Sequence, residues 1–268
     1  MRTRRSRAPG AAALALAAVV SLPGSAFAAE PWTADFADFP GGTWSQRWGV
    51  VDDGRFGFDR MSPQGGAVDV FYGQGSSAPS CEDCPSQGGG QFYGDFTTAG
   101  RADLAEARSL QLTVKFPSAW DFGKGGKLPG LYGGEPGEAG GGHHGQAWST
   151  RFMWRNDNGS GARSANGEVY VYDPSMGDGY GEDVGRGAWQ WQADDQWHTV
   201  QQTVDRDTGR IAVSIDGQQV FDEQGIRQIA DIPFAGVFFS TFFGGHASEW
   251  GPSRDVHAQF RDFSVTTS

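Results

Sequence analysis

The feature that most constrains the fold is an alternation of apolar and polar residues along several segments. In one of them Leu110, Leu112, Val114 and Phe116 alternate with polar side chains, which is the pattern of a half-buried β-strand. Six further segments show the same alternation: 148–155, 167–173, 197–204, 210–215, 234–243 and 256–265. No long segment repeats its apolar residues at the helical spacing of about 3.6 residues. The sequence therefore predicts an all-β protein.

Turn-forming residues separate these segments, and the chain contains 42 glycines. Asp207-Thr208-Gly209 and Asp216-Gly217 have the composition of tight turns between strands. Many short strands with frequent turns predict two antiparallel sheets packed face to face, as a sandwich or jelly roll. Two glycine-rich stretches, 73–91 and 133–146, are long enough to be loops that form the walls of a binding site.

The N-terminus has the organisation of a secretory signal. Arginines at the start precede an apolar run over 11–22, and Ala26-Phe27-Ala28 follows as a small-x-small cleavage site. The apolar run is shorter than the roughly 20 residues that span a membrane, and no later stretch approaches that length. We expect a signal peptide over 1–28, a secreted chain with no membrane association, and a single β domain over 29–268.

Charge restricts the partners of the chain. The formal net charge is −11, and the predicted signal peptide holds several of the arginines, so the mature chain is more acidic still. An acidic balance argues against nucleic-acid binding, which needs a basic surface. A polyanionic substrate would need a local positive patch.

The chain has two cysteines, Cys81 and Cys84. A redox role would need a thioredoxin-like βαβ context, which the strand pattern lacks, and a zinc ribbon would need a second cysteine pair. In an exported protein a disulfide that closes a small loop is the simpler interpretation.

Candidate site residues begin with Lys124 and Lys127, in the glycine-rich segment KGGKLPGLYGG. Glycines allow close backbone approach, and the two lysines offer a cationic mouth for an anion. The spacing of a phosphate-binding loop is absent. From composition alone, a solvated basic turn explains this segment equally well.

The next predicted strand carries cations on one face. Alternation over WSTRFMWR places Ser149, Arg151, Met153 and Arg155 on one side and Trp154 on the core side. Because the arginine fork suits carboxylate geometry, this face could bind acidic groups of a ligand. Intramolecular salt bridges are the alternative.

Tyr170 and Tyr172 share a face of the following strand, GEVYVY. Two such tyrosines often only cover a sheet. Beside cations, however, a phenol can carry a proton in catalysis.

The histidines carry less information. His198 lies in an ordinary strand pattern and is expected to be structural, and His246 lies where a strand ends and could line the rim of a site. His143 and His144 have no third ligand at metal spacing, so we expect no zinc site.

A glycoside hydrolase would need two carboxylates across a cleft. Asp205 and Asp207 have a suitable spacing, but they fall in a predicted turn. This weakens the hydrolase hypothesis without removing it.

Together, KGGKLPGLYGG, WSTRFMWR, GEVYVY and FFSTFFGGHASEWGPSRD resemble polysaccharide lyase family 14, and they are similar to the family 20 glucuronan lyases. The resemblance implies a concanavalin-like β-jelly roll whose concave sheet holds a sugar chain. It implies five catalytic residues, which are Lys127, Ser149, Arg151, Tyr170 and Tyr172. We place Lys124, Arg155 and His246 as further substrate-binding residues.

The expected reaction is β-elimination on a β-1,4-linked uronate polymer, either glucuronan or alginate. Lys127 and Arg151 would neutralise the uronate carboxylate, with a hydrogen bond from Ser149. Either Tyr170 or Tyr172, or Lys127 instead, would remove the C5 proton. No cofactor is required, and a structural calcium ion stays open. We expect a monomer acting on an acidic polysaccharide, with a carbohydrate-binding module as the competing hypothesis.

Overall fold

The computed structural model describes residues 30–140, 146–157, 161–174, 180–224, 229 and 231–267. The predicted signal peptide and the adjacent histidines His143 and His144 lie outside the described residues. None of the described helices is long and apolar enough to cross a membrane.

The described chain is built almost entirely of β-strands. Its one short α-helix is α1 (Trp44–Trp48), and 3-10 turns occur at Phe58–Arg60, Ala102–Glu106 and Ser248–Trp250. The strands are β1 (Trp32–Ala34), β2 (Met61–Gln64), β3 (Ala67–Tyr72), β4 (Gly90–Asp95), β5 (Ser109–Lys115), β6 (Gly125–Gly134), β7 (Ala147–Arg155), β8 (Ser164–Tyr172), β9 (Glu182–Val184), β10 (Gln190–Gln192), β11 (Trp197–Asp205), β12 (Arg210–Ile215), β13 (Gln218–Glu223), β14 (Phe234–Phe243) and β15 (Val256–Thr266).

These strands form two antiparallel sheets. Sheet A has the order β13-β12-β11-β5-β15-β3-β2, with β1 paired to β15. Sheet B has the order β10-β8-β7-β6-β14-β4, with β9 paired to β8. Neighbours in space are often distant in sequence, as in a jelly roll. The predicted all-β fold of two antiparallel sheets is confirmed.

A continuous apolar core lies between the sheets. Phe92 of β4 and Phe239 of β14 stack at 4.9 Å between ring centroids, and Phe260 of β15 packs on Phe239 from sheet A at 5.5 Å. From β7, Phe152 and Trp154 enter the same core and are fully buried. Burying such a side chain contributes about 1.5–3 kcal/mol. Alternate residues of β7 therefore point into the core, and the residues between them lie on the opposite face of sheet B.

The solvated basic turn considered for the segment of Lys127 is wrong, because Gly125–Gly134 is β6, a strand inside sheet B. The glycines of β6 accommodate indoles of the neighbouring strand. A Cβ on Gly126 would lie 2.1 Å from Trp154 Cζ2, and one on Gly133 would lie 2.2 Å from Trp148 Nε1. Glycine therefore stands where an apolar side chain would mark a strand, which hides the alternation in the sequence.

Candidate active site

A first row of functional side chains crosses three neighbouring strands of sheet B. Lys127 of β6 lies opposite Met153 of β7, which lies opposite Glu168 of β8. Directly opposed residues of antiparallel strands project from the same face. Lys127 Nζ is 2.8 Å from Met153 Sδ and 3.4 Å from the ring centroid of Tyr170.

Two further rows follow along β7 and β8. Arg151 lies opposite Tyr170, and Ser149 lies opposite Tyr172. The two tyrosine rings meet edge to face, with centroids 5.2 Å apart. The structure thus brings the five predicted catalytic residues onto one face of sheet B.

This face forms the floor of a cleft of about 960 Å³. Lys127, Arg151, Tyr170 and Tyr172 line it, together with Met153, Arg155 and His246. Strands β4 and β14 add Gln91, Tyr93, Phe238 and Phe242, and the 78–80 segment forms part of one wall. The cleft is therefore large enough for several sugar residues.

Lys127 is 8% exposed, and no described carboxylate lies within ion-pair distance of it. Burial, followed by the positive charges of Arg151 and Arg155, holds the pKa of Lys127 well below its usual value. A lysine in this setting loses its proton more easily than a solvated lysine does, which suits a general base.

Arg151 is 3% exposed and donates from Nη1 to Ser240 Oγ at 3.1 Å. Its guanidinium carbon lies 4.6 Å from the ring centroid of Phe238 and 5.4 Å from that of Tyr172. Burial lowers the pKa of Arg151, but a guanidinium does not lose its proton in proteins. In the described part of the chain no carboxylate forms an ion pair with it, so its charge is available to an anionic ligand.

The phenol of Tyr170 is suited to donate a proton. Burial, together with the adjoining Tyr172, raises the pKa of Tyr170 above that of free tyrosine. The hydroxyl therefore keeps its proton at neutral pH, which favours a general acid over a general base at this position.

Ser149 is 0% exposed, and its hydroxyl donates to the carbonyl oxygen of Ala139 at 2.5 Å. The same segment passes beside Arg151, because a Cβ on Gly140 would lie 2.9 Å from Arg151 Nη2. In this arrangement Ser149 anchors the segment around Ala139 over the cleft floor rather than facing the open cleft.

The three predicted substrate-binding residues lie in different places. Arg155 Nε lies 3.3 Å from Glu168 Oε1. Lys124 Nζ lies 3.5 Å from Glu249 Oε1, outside the main cleft. His246 Nδ1 contacts Ser80 Oγ at 3.2 Å. Arg155 and His246 line the cleft, whereas Lys124 lines a smaller adjoining cavity.

Glu168 is not among the site residues predicted from the sequence. It is 0% exposed and lies in the row of Lys127 and Met153. Burial, followed by the charge of Asp183, raises the pKa of Glu168 to about 8, against the opposing effect of Arg155. Alternation along β8 puts Glu168 on the same face as Tyr170 and Tyr172, so the sequence pattern contains the information needed to place it.

The wall of the cleft formed by residues 78–80 is tied down twice. A disulfide joins Cys81 to Cys84 next to it, and Ser77 Oγ donates to the carbonyl oxygen of Gly244 at 2.6 Å. Among the described residues no cluster of three or more His, Cys, Asp or Glu side chains could hold a metal ion.

His198 lies on sheet A, in strand β11 and away from the cleft lining. Its ring nitrogens contact Asp216 Oδ2 at 2.7 Å and Asp194 Oδ2 at 3.1 Å. These contacts join β11 to the turns that hold Asp194 and Asp216, as expected for a structural histidine.

A family model for polysaccharide lyase 14 matches residues 60–263, which include every strand of sheet B described above. This chain belongs to polysaccharide lyase family 14. It is accordingly a polysaccharide lyase, and the cleft on sheet B is its candidate active site. No curated protein sequence matches the chain significantly.

Solved structures of similar fold include lyases and a lectin-like domain. The marine PL-14 alginate lyase from Aplysia kurodai is 24% identical with a TM-score of 0.69, and the alignment covers 90% of this chain and 99% of that one. An endo-β-1,4-glucuronan lyase from the fungus Trichoderma reesei is 12% identical with a TM-score of 0.51, covering 90% and 96%. The carbohydrate recognition domain of Emp46p is also 12% identical, with a TM-score of 0.55, covering 88% and 97%. Because one fold serves catalysis and binding, function has to be argued from the site.

Proposed function

We propose that this lyase cleaves β-1,4-linked uronate polymers, either glucuronan or alginate, by β-elimination. The observation that carries the proposal is the buried Lys127 beside Tyr170 and Arg151, in a cleft floor where neither cation has a described carboxylate partner. A neutral amine, a protonated phenol and an unpaired guanidinium are the three groups that uronate elimination needs.

Arg151 binds the uronate carboxylate in this proposal. Removing the C5 proton builds negative charge onto that carboxylate, so a fixed cation in a partly dried cleft lowers the barrier. Arg155 assists from the rim of the cleft. Ser149 contributes indirectly, because its hydroxyl holds the Ala139 carbonyl.

Lys127 acts as the base and Tyr170 as the acid. The Lys127 amine takes the C5 proton, and the electrons of that C–H bond form the C4–C5 double bond. The C4–O4 bond breaks, and O4 receives the proton of the Tyr170 hydroxyl. The Lys127 ammonium, next to the phenol ring, then returns a proton to the tyrosinate and completes the cycle. The products are a 4,5-unsaturated uronate end and a new hydroxyl end.

Tyr172 is the alternative acid, since it lies on the same face of β8 and its ring contacts that of Tyr170 edge to face. The assignment of Lys127 as base, rather than Tyr170, rests on the opposite directions of the Lys127 and Tyr170 pKa shifts. No metal ion has a role in this mechanism, and the chain acts outside the cell as a secreted enzyme.

The test is ultraviolet absorbance of the new C4–C5 double bond during incubation with glucuronan, polymannuronate and polyguluronate. We expect absorbance to grow on at least one polymer, and Tyr170→Phe and Tyr172→Phe to separate the acid from its neighbour. Binding of a uronate polymer without any absorbance change would instead support a non-catalytic carbohydrate-binding role.

A further inference from the structure

A second cavity of about 470 Å³ adjoins the main cleft. Arg155, Asp183 and Trp250 line both spaces, so the two cavities adjoin along these three side chains. We call this space the distal cavity. Lys124, Asn156, Asp157 and Arg186 complete its lining.

Trp250 stands between two cations at the junction. Its ring centroid lies 5.9 Å from Lys124 Nζ and 5.6 Å from the guanidinium carbon of Arg155. Gly245 packs against the indole so closely that a Cβ there would lie 2.3 Å from Trp250 Cγ, which fixes the ring. A half-buried aromatic plane beside cations fits the apolar face of a sugar ring that carries a carboxylate.

The cations of the distal cavity have partners that a ligand can replace. Lys124 pairs with Glu249, which is 62% exposed, and Arg186 pairs with Asp157, which is 68% exposed. Arg186 also lies 3.9 Å from Asp183 Oδ2 and 4.0 Å from Glu168 Oε2. Exposed ion pairs contribute about 0–1 kcal/mol, so a substrate carboxylate can replace Glu249 at Lys124, or Asp157 at Arg186, at little cost.

We propose that the distal cavity is a subsite for one further uronate residue of the same polymer, beyond the residues held in the main cleft. Its ring stacks on Trp250, and its carboxylate contacts Lys124 or Arg186. This inference rests on the proposed function, because it assumes an acidic sugar chain in the main cleft.

The subsite predicts that kcat/KM rises with the length of the oligosaccharide until the distal cavity is filled. Oligouronates of increasing length, prepared from glucuronan and polymannuronate, would be compared on wild type, Trp250→Ala and Arg186→Ala. We expect the loss of kcat/KM in Trp250→Ala to be about fivefold to tenfold larger for the long oligomers than for the shortest cleaved oligomer. Arg186→Ala, which removes an exposed side chain, should lower kcat/KM about twofold to fivefold with the same length dependence.

Trp197→Ala is the matched control. Trp197 lies on sheet A, where Lys115 Nζ is 4.8 Å and the guanidinium carbon of Arg261 is 4.1 Å from its ring centroid, and it lines neither cavity. Trp197 combines an indole with two cations but lines no cavity. Its truncation should therefore leave kcat/KM unchanged for oligomers of every length.

Two outcomes would overturn the subsite: equal losses at every length for both variants, or no loss at any length. Calorimetric binding of the same oligomers to Lys127→Met separates this inference from the proposed function. If wild type cleaves none of them but affinity still rises with length and falls in Trp250→Ala made in that background, the lyase proposal fails and the subsite stands. If they are cleaved and neither affinity nor kcat/KM depends on length, the subsite alone fails.

Discussion

The exposed face of sheet A and the cleft face of sheet B differ in the burial of their charged side chains and in whether these have ion-pair partners. On sheet A the charges lie at the surface and have partners: Arg210 contacts both carboxylate oxygens of Asp222 at 2.8 Å, and His257 contacts Asp69 at 2.6 Å. On sheet B, Lys127 and Arg151 are buried among aromatic rings and have no ion-pair partner among the described residues.

The charged residues of sheet A are typical of a solvated protein surface, whereas the buried cations of sheet B are typical of a binding or catalytic site. A surface pair adds little to the free energy of unfolding, whereas a buried cation without a carboxylate reduces it. The cleft keeps two such cations, which is reasonable if a polymer carboxylate supplies the missing partner. Substitutions on the two faces test this contrast.

Lys127→Met should lower kcat by about 10³-fold, because the proposed base is lost while the volume of the side chain is nearly kept. Initial rates of double-bond formation measure this. Lys115→Met, on sheet A, is the control and should retain full activity. A Lys127→Met variant with near-normal turnover would show that another group removes the proton.

The same variant also has a pH-dependent effect on stability. Since burial holds the pKa of Lys127 below that of an unfolded lysine, charging it costs folding free energy at low pH. Lys127→Met should therefore be more stable than wild type at acidic pH, with an advantage that shrinks as pH rises toward about 10.5, the pKa in the unfolded chain. Urea unfolding at several pH values measures the difference; an advantage that grew with pH would contradict the burial of an ionisable amine.

Arg151→Met and Arg210→Met compare the two faces directly. We expect Arg151→Met to reduce kcat/KM by about 10²-fold or more, since the charge that stabilises the carboxylate is lost, with stability unchanged or higher. Arg210→Met should keep full activity and cost at most about 1 kcal/mol of unfolding free energy. Assays and thermal melts on both proteins decide the matter, and a loss of activity confined to Arg210→Met would reverse the comparison.

Glu168→Gln tests the buried acid under the cleft. Because the pKa of Glu168 rises from 4.5 in the unfolded chain to about 8 in the fold, the native state holds a proton that the unfolded state releases. Its contribution to stability is present below about pH 4.5 and is lost as pH rises through about 8. Glu168→Gln should remove this dependence and gain about 1–3 kcal/mol over wild type at pH 8, relative to pH 5. Denaturant midpoints that shift in parallel at both pH values would argue against a buried neutral Glu168.

His198→Ala should have the smallest effect. Burial lowers the pKa of His198, but the contacts with Asp216 and Asp194 outweigh this and raise it. The stabilisation is present below about pH 6.5 and is lost as pH rises through the pKa in the fold. We expect a loss of about 0.5–1 kcal/mol at pH 5.5 and less at pH 9, by thermal unfolding. Equal losses at both pH values would mean that the ring acts by packing alone.

The alternation of side chains along the strands predicted the fold and the part of the site that lies on β7 and β8. In β7 it placed Arg151 and Met153 on one face and Trp154 on the other, and the structure has Trp154 in the core and the other two in the cleft. Alternation succeeds here because β7 carries arginines on its cleft face and large apolar side chains, Phe152 and Trp154, on its core face.

The same reasoning could not detect β6, because its glycines carry no side chain to report a face. It also could not place Phe238 or Gln91 in the cleft, since β14 and β4 pair in sheet B although they lie far apart in the sequence. The tie between Ser149 and the Ala139 carbonyl depends on the path of a loop, which has no periodic signal.

The glycines of β6 also decide where this enzyme can be re-engineered. Even alanine at Gly126 or Gly133 would collide with an indole of β7, so these two positions in the strand that carries Lys127 accept no side chain without rearrangement. Libraries aimed at new polymers should leave both glycines alone and diversify the wall at 78–80 and the rim around Trp250. The lysine then stays in place while the selectivity around it changes.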